Sequence, residues 1–354
     1  LSFNKNEEHD ESEFDDLLNM TLNSFNTKEL NLGIDQVMQS NDRYRKIASL
    51  SSGILELGEN SNEIAISIIQ QSSQHIADMI IFLCDQISYI NDELILTENT
   101  QPAIMTIGIA IIEILNSRGF SVDKISNISA GHSLGEYTSL TALSSLSLTD
   151  TAKLLRLRGK AMQNSFPSGE GAMAAILGLD INEVRKTINS SEIKNVCQVA
   201  NDNAPGQIVI SGERNAVNTI INLLKEKGVK KAIELPVSAP FHCDLMNDAK
   251  EIMENELMNI VLNKPIIPIV QNTTVEVTED IETIKYNLIN QVTATVRWRE
   301  TMEKFKELGV TSIIEVGAGN VLTNLAKRSA PNLQRFTLNS KESLENFMRD
   351  YSIV

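Results

Sequence analysis

The segment Gly131–Gly135 carries a serine in a setting suited to covalent chemistry. Its Gly-x-Ser-x-Gly pattern follows a β-prone run over 125–130 and precedes a helix-compatible segment from Glu136, which is typical of a nucleophile elbow. Glycines allow a sharp turn there, which exposes Ser133 at a strand end above a helix N-terminus whose free N–H groups favour an oxyanion. The pattern predicts a serine nucleophile, and the alternative is a chance match in an ordinary turn.

A serine hydroxyl needs a base to take its proton, and that base is usually a histidine. Of the four histidines, His9 lies in an acidic stretch, His75 lies among helix-forming residues, and His132 points to the other side of the elbow. His242 follows a strand and begins a helix, where the site of a parallel sheet collects its residues. We therefore predict His242 as the base. No acidic partner stands out, a backbone carbonyl could orient the ring equally well, and a structural histidine is the alternative.

Arg158 lies on the helix after the elbow, where a guanidinium could hold a carboxylate with two hydrogen bonds. The alternative is a surface arginine on an amphipathic helix. Arg156 is the better candidate for the solvent-facing member of the pair, although spacing leaves this choice open. Thr149 or Asp150 is expected to cap this helix.

The elements around these residues alternate between strands and helices, and the composition supports a folded core. Of the 354 residues, 42% are hydrophobic and 22% are charged. A long apolar helix is predicted over 103–116 and is expected to be buried. Strands predicted at 265–270, 312–316 and 335–339, with the run at 125–130, indicate an α/β fold with a mostly parallel sheet covered by helices on both faces. The segment Gly317-Ala318-Gly319 lacks a third glycine, which argues against a dinucleotide site.

A self-contained block interrupts this pattern. Its strands and helices follow the order βαββαβ, with a hairpin around 203–206, which predicts an inserted ferredoxin-like subdomain. The predicted organisation is an acidic, mobile tail over 1–40, a helical segment over 41–95, a large subdomain formed by 96–168 and 239–354, and a small subdomain over 169–238.

Charge and cysteine content limit the possible partners. Residues 1–100 hold 18 acidic against 5 basic side chains, whereas the remainder holds 28 against 26. Without a basic stripe, nucleic-acid binding is not expected. Three widely spaced cysteines form no disulfide or metal pattern, which favours a reducing compartment and a cytoplasmic location. We also expect no metal, no membrane association and a monomer.

Six separated motifs together resemble the malonyl-CoA:acyl carrier protein transacylases of type II fatty acid synthesis, which are similar to polyketide acyltransferase domains. The resemblance runs from about residue 96 to the C-terminus. The motifs are Gly131-His132-Ser133-Leu134-Gly135-Glu136-Tyr137, Arg158-Gly159-Lys160-Ala161-Met162-Gln163, Gly171-Ala172-Met173-Ala174-Ala175, Pro205-Gly206-Gln207-Ile208-Val209-Ile210-Ser211-Gly212, Pro240-Phe241-His242 and Glu315-Val316-Gly317-Ala318-Gly319.

The resemblance implies a hydrolase-like acyltransferase core that needs no cofactor and transfers malonyl by a ping-pong mechanism. Ser133, activated by His242, would take the malonyl group from malonyl-CoA and pass it to the phosphopantetheine thiol of acyl carrier protein. Arg158 would pair with the malonyl carboxylate. The remaining implied roles are an oxyanion N–H from Leu134, a carbonyl from Gln291 that orients His242, a bulky ring at Phe241 that excludes an α-methyl group, and pocket-lining side chains at Gln101 and Asn203.

The N-terminal region departs from this family. Its members open with a strand running into Phe-Pro-Gly-Gln-Gly-x-Gln, whose glutamine supplies the second oxyanion N–H, and residues 1–95 contain no such pattern. Three hypotheses follow: a malonyl transacylase, a serine hydrolase or thioesterase with the same elbow, and a non-catalytic relative that lacks the oxyanion loop. Because carrier proteins are acidic, docking is expected on Lys225, Lys227, Lys230 and Lys231.

Overall fold

The structure is a computed structural model, and it describes residues 96–237 and 239–351. The tail predicted for 1–40 and the helical segment predicted for 41–95 lie outside the described residues. The α-helices of the described part are α1 (Thr97–Ser117), α2 (Val122–Ile125), α3 (Leu134–Ala142), α4 (Leu148–Asn164), α5 (Ile181–Ser190), α6 (Arg214–Glu226), α7 (Asn247–Asn259), α8 (Ile281–Gln291), α9 (Trp298–Glu307), α10 (Val321–Ser329) and α11 (Lys341–Asp350), and a 3-10 turn at Asp244–Met246 precedes α7.

The strands form three sheets, and helices pack against them, so the predicted α/β class is confirmed. In the large part, β1 pairs in parallel with β6, β6 pairs antiparallel with β7, and β8 pairs in parallel with β9. The described residues thus hold two short sheets where one was predicted. The strands are β1 (Ser129–Ala130), β2 (Gly171–Leu177), β3 (Cys197–Ala204), β4 (Gln207–Glu213), β5 (Lys231–Glu234), β6 (Ile269–Val270), β7 (Val277–Thr278), β8 (Ser312–Val316) and β9 (Gln334–Leu338).

The first two strands of the large part are shorter than predicted. Residues 122–125 form the helical turn α2, and β1 keeps only two of the six residues expected for the run at 125–130. The partner strand β6 likewise keeps only the end of the predicted 265–270. The Pro268 carbonyl accepts from the Ser129 N–H at 3.0 Å, but a proline has no N–H to return, so the ladder stops there.

The long apolar helix α1 lies in the main core. Met105, Ile111 and Leu115 are at most 1% exposed and pack with apolar residues of α3, α4 and α7. Within the described residues, α1 is the one helix with the length and composition of a membrane span, and half of its most apolar stretch is buried inside the fold, as expected of a core helix.

Helix α4, which carries Arg158, crosses α1 closely. A Cβ on Gly159 would lie 2.5 Å from Glu98 Cα and 2.6 Å from the Thr97 carbonyl, so only glycine permits this approach. The prediction of Thr149 or Asp150 as the cap is wrong. Ser147 is the N-cap, and its side chain accepts from the Asp150 N–H at 3.0 Å.

The block between the two large segments is ferredoxin-like, as predicted. Its four strands are antiparallel in the order β3-β4-β2-β5, and α5 and α6 supply apolar side chains to a separate core. The helices bury Val184, Val217 and Ile220 completely against the sheet. The strand order is that of a split βαβ unit.

Strand β3 also ties the small sheet to the large part. Asn201 bridges Val296 in parallel, and the Asp202 N–H donates to the Val296 carbonyl at 2.9 Å. The Asp202 carboxylate, 1% exposed, pairs with the Arg299 guanidinium of α9 at 2.8 Å. This junction fixes the end of β3, and therefore Asn203, beside the elbow.

Candidate active site

The elbow has the strained backbone that its pattern predicts. Ser133 lies between β1 and α3 with φ 53° and ψ −112°, a left-handed conformation that costs a non-glycine residue about 1–3 kcal/mol. Gly131 allows the chain to fold back on itself, because a Cβ there would lie 1.9 Å from the Gly135 carbonyl carbon. Gly135 itself has open space around its Cα, so its own lack of a side chain is not required sterically.

Asn272, which sequence reasoning missed, holds the elbow in this conformation. Its Oδ1 accepts from the Ser133 N–H at 2.7 Å, and its Nδ2 donates to the Gly131 carbonyl at 2.6 Å. The side chain is completely buried, so these bonds do not compete with water. The only local signal was a polar Gln271-Asn272 pair directly after an apolar strand.

Ser133 and His242 are hydrogen-bonded in the folded chain, with the geometry expected of a nucleophile and its base. Ser133 Oγ lies 2.9 Å from His242 Nε2, and His242 Nδ1 lies 2.8 Å from the Gln291 carbonyl oxygen. A carbonyl only accepts, so Nδ1 carries the proton and Nε2 presents its lone pair to the serine. His242 also has a left-handed backbone, with φ 58°.

The environment keeps this imidazole neutral. Burial and, to a lesser extent, the nearby Arg158 charge lower the pKa of His242 to about 3, although the hydrogen bond to the Gln291 carbonyl acts in the opposite direction. His242 is therefore unprotonated at neutral pH. Its Nε2 is free to receive the serine proton.

Arg158 lies beside Ser133 and is almost fully buried, at 1% exposed. Its Nη2 donates to Ser133 Oγ at 3.0 Å and to Gln291 Oε1 at 2.9 Å, and its Nη1 donates to Gln101 Oε1 at 2.6 Å. Burial lowers its pKa, but an arginine keeps its charge at any ordinary pH. The result is a buried cation held by neutral oxygens. Arg156, in contrast, is exposed and bonds to Asn99.

The backbone N–H of Leu134 opens α3 next to the serine. No group in the described part of the chain accepts a hydrogen bond from it. An N–H so placed, at the N-terminus of a helix, can stabilise negative charge that develops beside Ser133.

The other predicted site residues differ in what they contact. Gln101 contacts Arg158 and so belongs to the site. Phe241 precedes His242 and is half-buried between the main core and a cluster around Met173. Asn203 instead binds the neighbouring histidine, with its Oδ1 2.8 Å from His132 Nε2.

Glu136 is a second residue that the sequence analysis did not assign. It lies in the first turn of α3, where an acidic residue is ordinary, so its type gave no signal. In the structure it is 1% exposed, and burial raises its pKa to about 7. Its carboxylate accepts from the Asn272 N–H at 2.9 Å and from Gln291 Nε2.

The site has no ligand set for a metal ion. Across 96–237 and 239–351, no group of three or more His, Cys, Asp or Glu side chains is arranged to hold one. The arrangement can perform covalent acyl chemistry with a serine, a neutral imidazole and a guanidinium.

A sequence model described as the acyl transferase domain matches residues 31–345. This match begins before residue 96, so it extends into the region where the motifs showed no resemblance. The malonyl CoA-acyl carrier protein transacylase of Bacillus subtilis (strain 168) is 40% identical over 255 residues, which are 72% of this chain and 79% of that protein. The Escherichia coli (strain K12) transacylase is 37% identical over 253 residues, covering 72% and 81%.

Solved structures of malonyltransferases have a fold similar to that of this chain. An acyl-carrier-protein-S-malonyltransferase from Bartonella henselae has a TM-score of 0.73 and 41% identity, covering 78% of this chain and 91% of that one. A malonyl-transacylase solved in complex with its type II PKS acyl-carrier protein has a TM-score of 0.72 and 32% identity, covering 80% and 94%.

Proposed function

The chain belongs to the acyl transferase domain family, and on this basis we propose that it transfers malonyl from malonyl-CoA to acyl carrier protein through a malonyl-serine at Ser133. The observation that carries the proposal is the buried Arg158 guanidinium, 3.0 Å from Ser133 Oγ. A cation at the nucleophile suits an acyl group that carries its own carboxylate. Malonyl-loaded carrier protein is the product that fatty acid synthesis uses.

The first half-reaction forms the acyl-enzyme. His242 Nε2 takes the Ser133 proton as Oγ attacks the thioester carbonyl carbon, and the oxyanion faces the Leu134 N–H. The C–S bond then breaks, and the proton on His242 passes to the departing coenzyme A sulfur. The malonyl group remains on Ser133 as an ester.

The second half-reaction reverses these steps with another thiol. The phosphopantetheine thiol of acyl carrier protein gives its proton to His242 and attacks the malonyl ester. The C–O bond breaks, and the proton returns to Ser133 Oγ. Neither half-reaction, as written, requires a cofactor or a metal ion.

Arg158 selects the acyl group in this proposal. The guanidinium is already desolvated and already held in place by Gln101 and Gln291, so a malonyl carboxylate gains a preorganised partner. An acetyl group would leave the buried charge without a carboxylate. Phe241 restricts the space next to the acyl α-carbon.

Incubation with radiolabelled malonyl-CoA tests the function. We expect label on Ser133 that moves to phosphopantetheinylated acyl carrier protein when it is added. Steady release of malonate without carrier protein would instead indicate a thioesterase, and absence of label would indicate a non-catalytic relative.

We further predict that the segment 225–231 contacts the carrier protein. Lys225, Lys230 and Lys231 are exposed at the end of α6 and the start of β5, whereas Lys227 also donates to Thr187 Oγ1 at 2.9 Å. Reversing the charge of Lys225, Lys230 and Lys231 to Glu is expected to slow transfer to the acidic carrier protein by about tenfold or more at low salt.

The malonylation half-reaction separates docking from chemistry in this test. It should keep its rate in the charge-reversed protein, because coenzyme A and not carrier protein is the donor. Lys341→Glu, an exposed change on α11, is the matched control. Unchanged transfer in the triple variant would place the docking surface elsewhere.

A further inference from the structure

The side-chain amide of Gln291 lies between a buried cation and a buried anion. Its Oε1 accepts from Arg158 Nη2 at 2.9 Å, and its Nε2 donates to the Glu136 carboxylate and, at 3.0 Å, to the Ser133 carbonyl. Gln291, Arg158 and Glu136 are each at most 1% exposed. The chain of contacts therefore runs from guanidinium to amide to carboxylate in a region without solvent.

The charges at its two ends determine the orientation of this amide. A flipped amide would present its NH₂ to the guanidinium and its oxygen to the carboxylate, which are two repulsive contacts in place of two attractive ones. The far oxygen of Glu136 accepts from the Asn272 N–H at 2.9 Å. Both carboxylate oxygens thus face donors, an arrangement that suits the ionised form.

The separation of Arg158 from Glu136 by the Gln291 amide matters, because a direct ion pair between them would occupy the guanidinium. Within the described residues, Arg158 forms no ion pair with a carboxylate, and its terminal nitrogens donate to the hydroxyl of Ser133 and to the amide oxygens of Gln101 and Gln291. A carboxylate in contact with the guanidinium would satisfy it and compete with a substrate carboxylate. With a neutral amide in between, no carboxylate contacts the guanidinium directly, but the negative charge of Glu136 remains close to it.

We propose that Glu136 is a positioning residue that acts through the Gln291 amide as the remote counter-charge of Arg158, and that this neutral spacer keeps the guanidinium available for an anionic acyl group. The inference rests on the proposed function and deepens it. It identifies the part of the fold that decides between anionic and neutral acyl thioesters.

Protonation of Glu136 should weaken this selection. Its pKa is raised to about 7, chiefly by burial. A protonated Glu136 carboxyl would add its own O–H donor opposite the two donors that it now faces, the Asn272 N–H and Gln291 Nε2. The titratable groups that face it are Arg158 of α4 and Tyr137 of its own helix, and the latter has its pKa raised to about 12. Asn272 and Gln291 are neutral. His242, on the far side of Gln291, is uncharged at these pH values.

The experiment compares acylation of Ser133 by malonyl-CoA with acylation by acetyl-CoA. The ratio of the two kcat/KM values cancels effects on Ser133 and His242, which both substrates need. In the wild-type protein we expect this ratio to fall as the pH is lowered through about 7. Malonate stays ionised in this range, so the change reports on the enzyme.

Two variants test the spacer from either side. Glu136→Gln is expected to lower the ratio by about tenfold to a hundredfold, because one N–H of the new amide must face another donor. The pH dependence of the ratio near 7 should also disappear, because glutamine does not titrate. Gln291→Glu keeps the backbone carbonyl that orients His242 but puts a carboxylate against Arg158. It is expected to lower the ratio by about a hundredfold, mainly through KM for malonyl-CoA.

Controls separate this role from a structural one and from the proposed function. Labelling of Ser133 by a neutral fluorophosphonate checks that the nucleophile and base are intact in each variant, and Glu113→Gln, an exposed isosteric change on α1, is the matched control. A wild-type protein without preference for malonyl would contradict the proposed function. A wild-type preference that persists unchanged in Glu136→Gln or in Gln291→Glu would overturn the counter-charge role alone.

Discussion

Ser133→Ala is expected to abolish the malonyl-enzyme and to slow transfer to acyl carrier protein by about 10⁴-fold or more. Without Oγ no ester can form, and His242 has no hydroxyl to deprotonate at 2.9 Å. Nucleophile deletions in serine enzymes cost rates of this order, since the remaining groups contribute only binding and oxyanion stabilisation. Mass spectrometry of the intact protein after incubation with malonyl-CoA measures the adduct directly.

The same substitution should leave the fold intact. Ser133 is held mainly by its backbone, because Asn272 accepts from its N–H and Gln291 donates to its carbonyl. Alanine keeps both bonds, although it also keeps the strained φ of 53°. Ser117→Ala on α1 serves as the control. A malonyl adduct in Ser133→Ala with normal transfer would assign the nucleophile to another residue.

Arg158→Ala is expected to have the second-largest effect, and that effect should depend on the substrate. Loss of a desolvated partner for the malonyl carboxylate should lower kcat/KM for malonyl-CoA on the order of 10²–10³-fold. Acetyl-CoA should lose much less, through the missing bond from Nη2 to Ser133 Oγ. Single-turnover acylation with the two labelled thioesters gives both values.

Arg156→Ala is the matched control for this prediction. It removes a guanidinium from the same helix, but one that is exposed and bonds to Asn99 at 3.0 Å. Its preference for malonyl should stay at the wild-type level. Equal losses for malonyl-CoA and acetyl-CoA in Arg158→Ala would remove the arginine from its role in selection.

The hydrogen bonds around Arg158 explain how a buried guanidinium is held in place for the carboxylate in the proposed mechanism. Three neutral oxygens, on Ser133, Gln101 and Gln291, accept from its terminal nitrogens, while its Nε has no partner within the described residues. These bonds hold the guanidinium in position without neutralising it. A carboxylate that enters the site can therefore replace the weaker contact with Ser133 and leave the other two in place.

Local sequence determined the parts of this protein that depend on a few neighbouring residues. The elbow is encoded between Gly131 and Ser133, because a glycine at that point removes a clash that any Cβ would create. The ferredoxin-like block follows from hydrophobic periodicity and a Pro-Gly turn at 205–206. The positions of the four histidines pointed to His242, and the resemblance to a family then gave Arg158 its role, which spacing alone left open.

Only the tertiary structure decided how these residues work together. Asn272 and Gln291 reach the elbow from 139 and 158 residues away in sequence, and Glu136 gains its role from burial against them. The same holds for Pro268. It ends the ladder between β6 and the distant β1, because proline has no N–H to donate. Hydrogen bonds between distant segments depend on how the elements pack, and residue type and spacing along the chain do not record that packing.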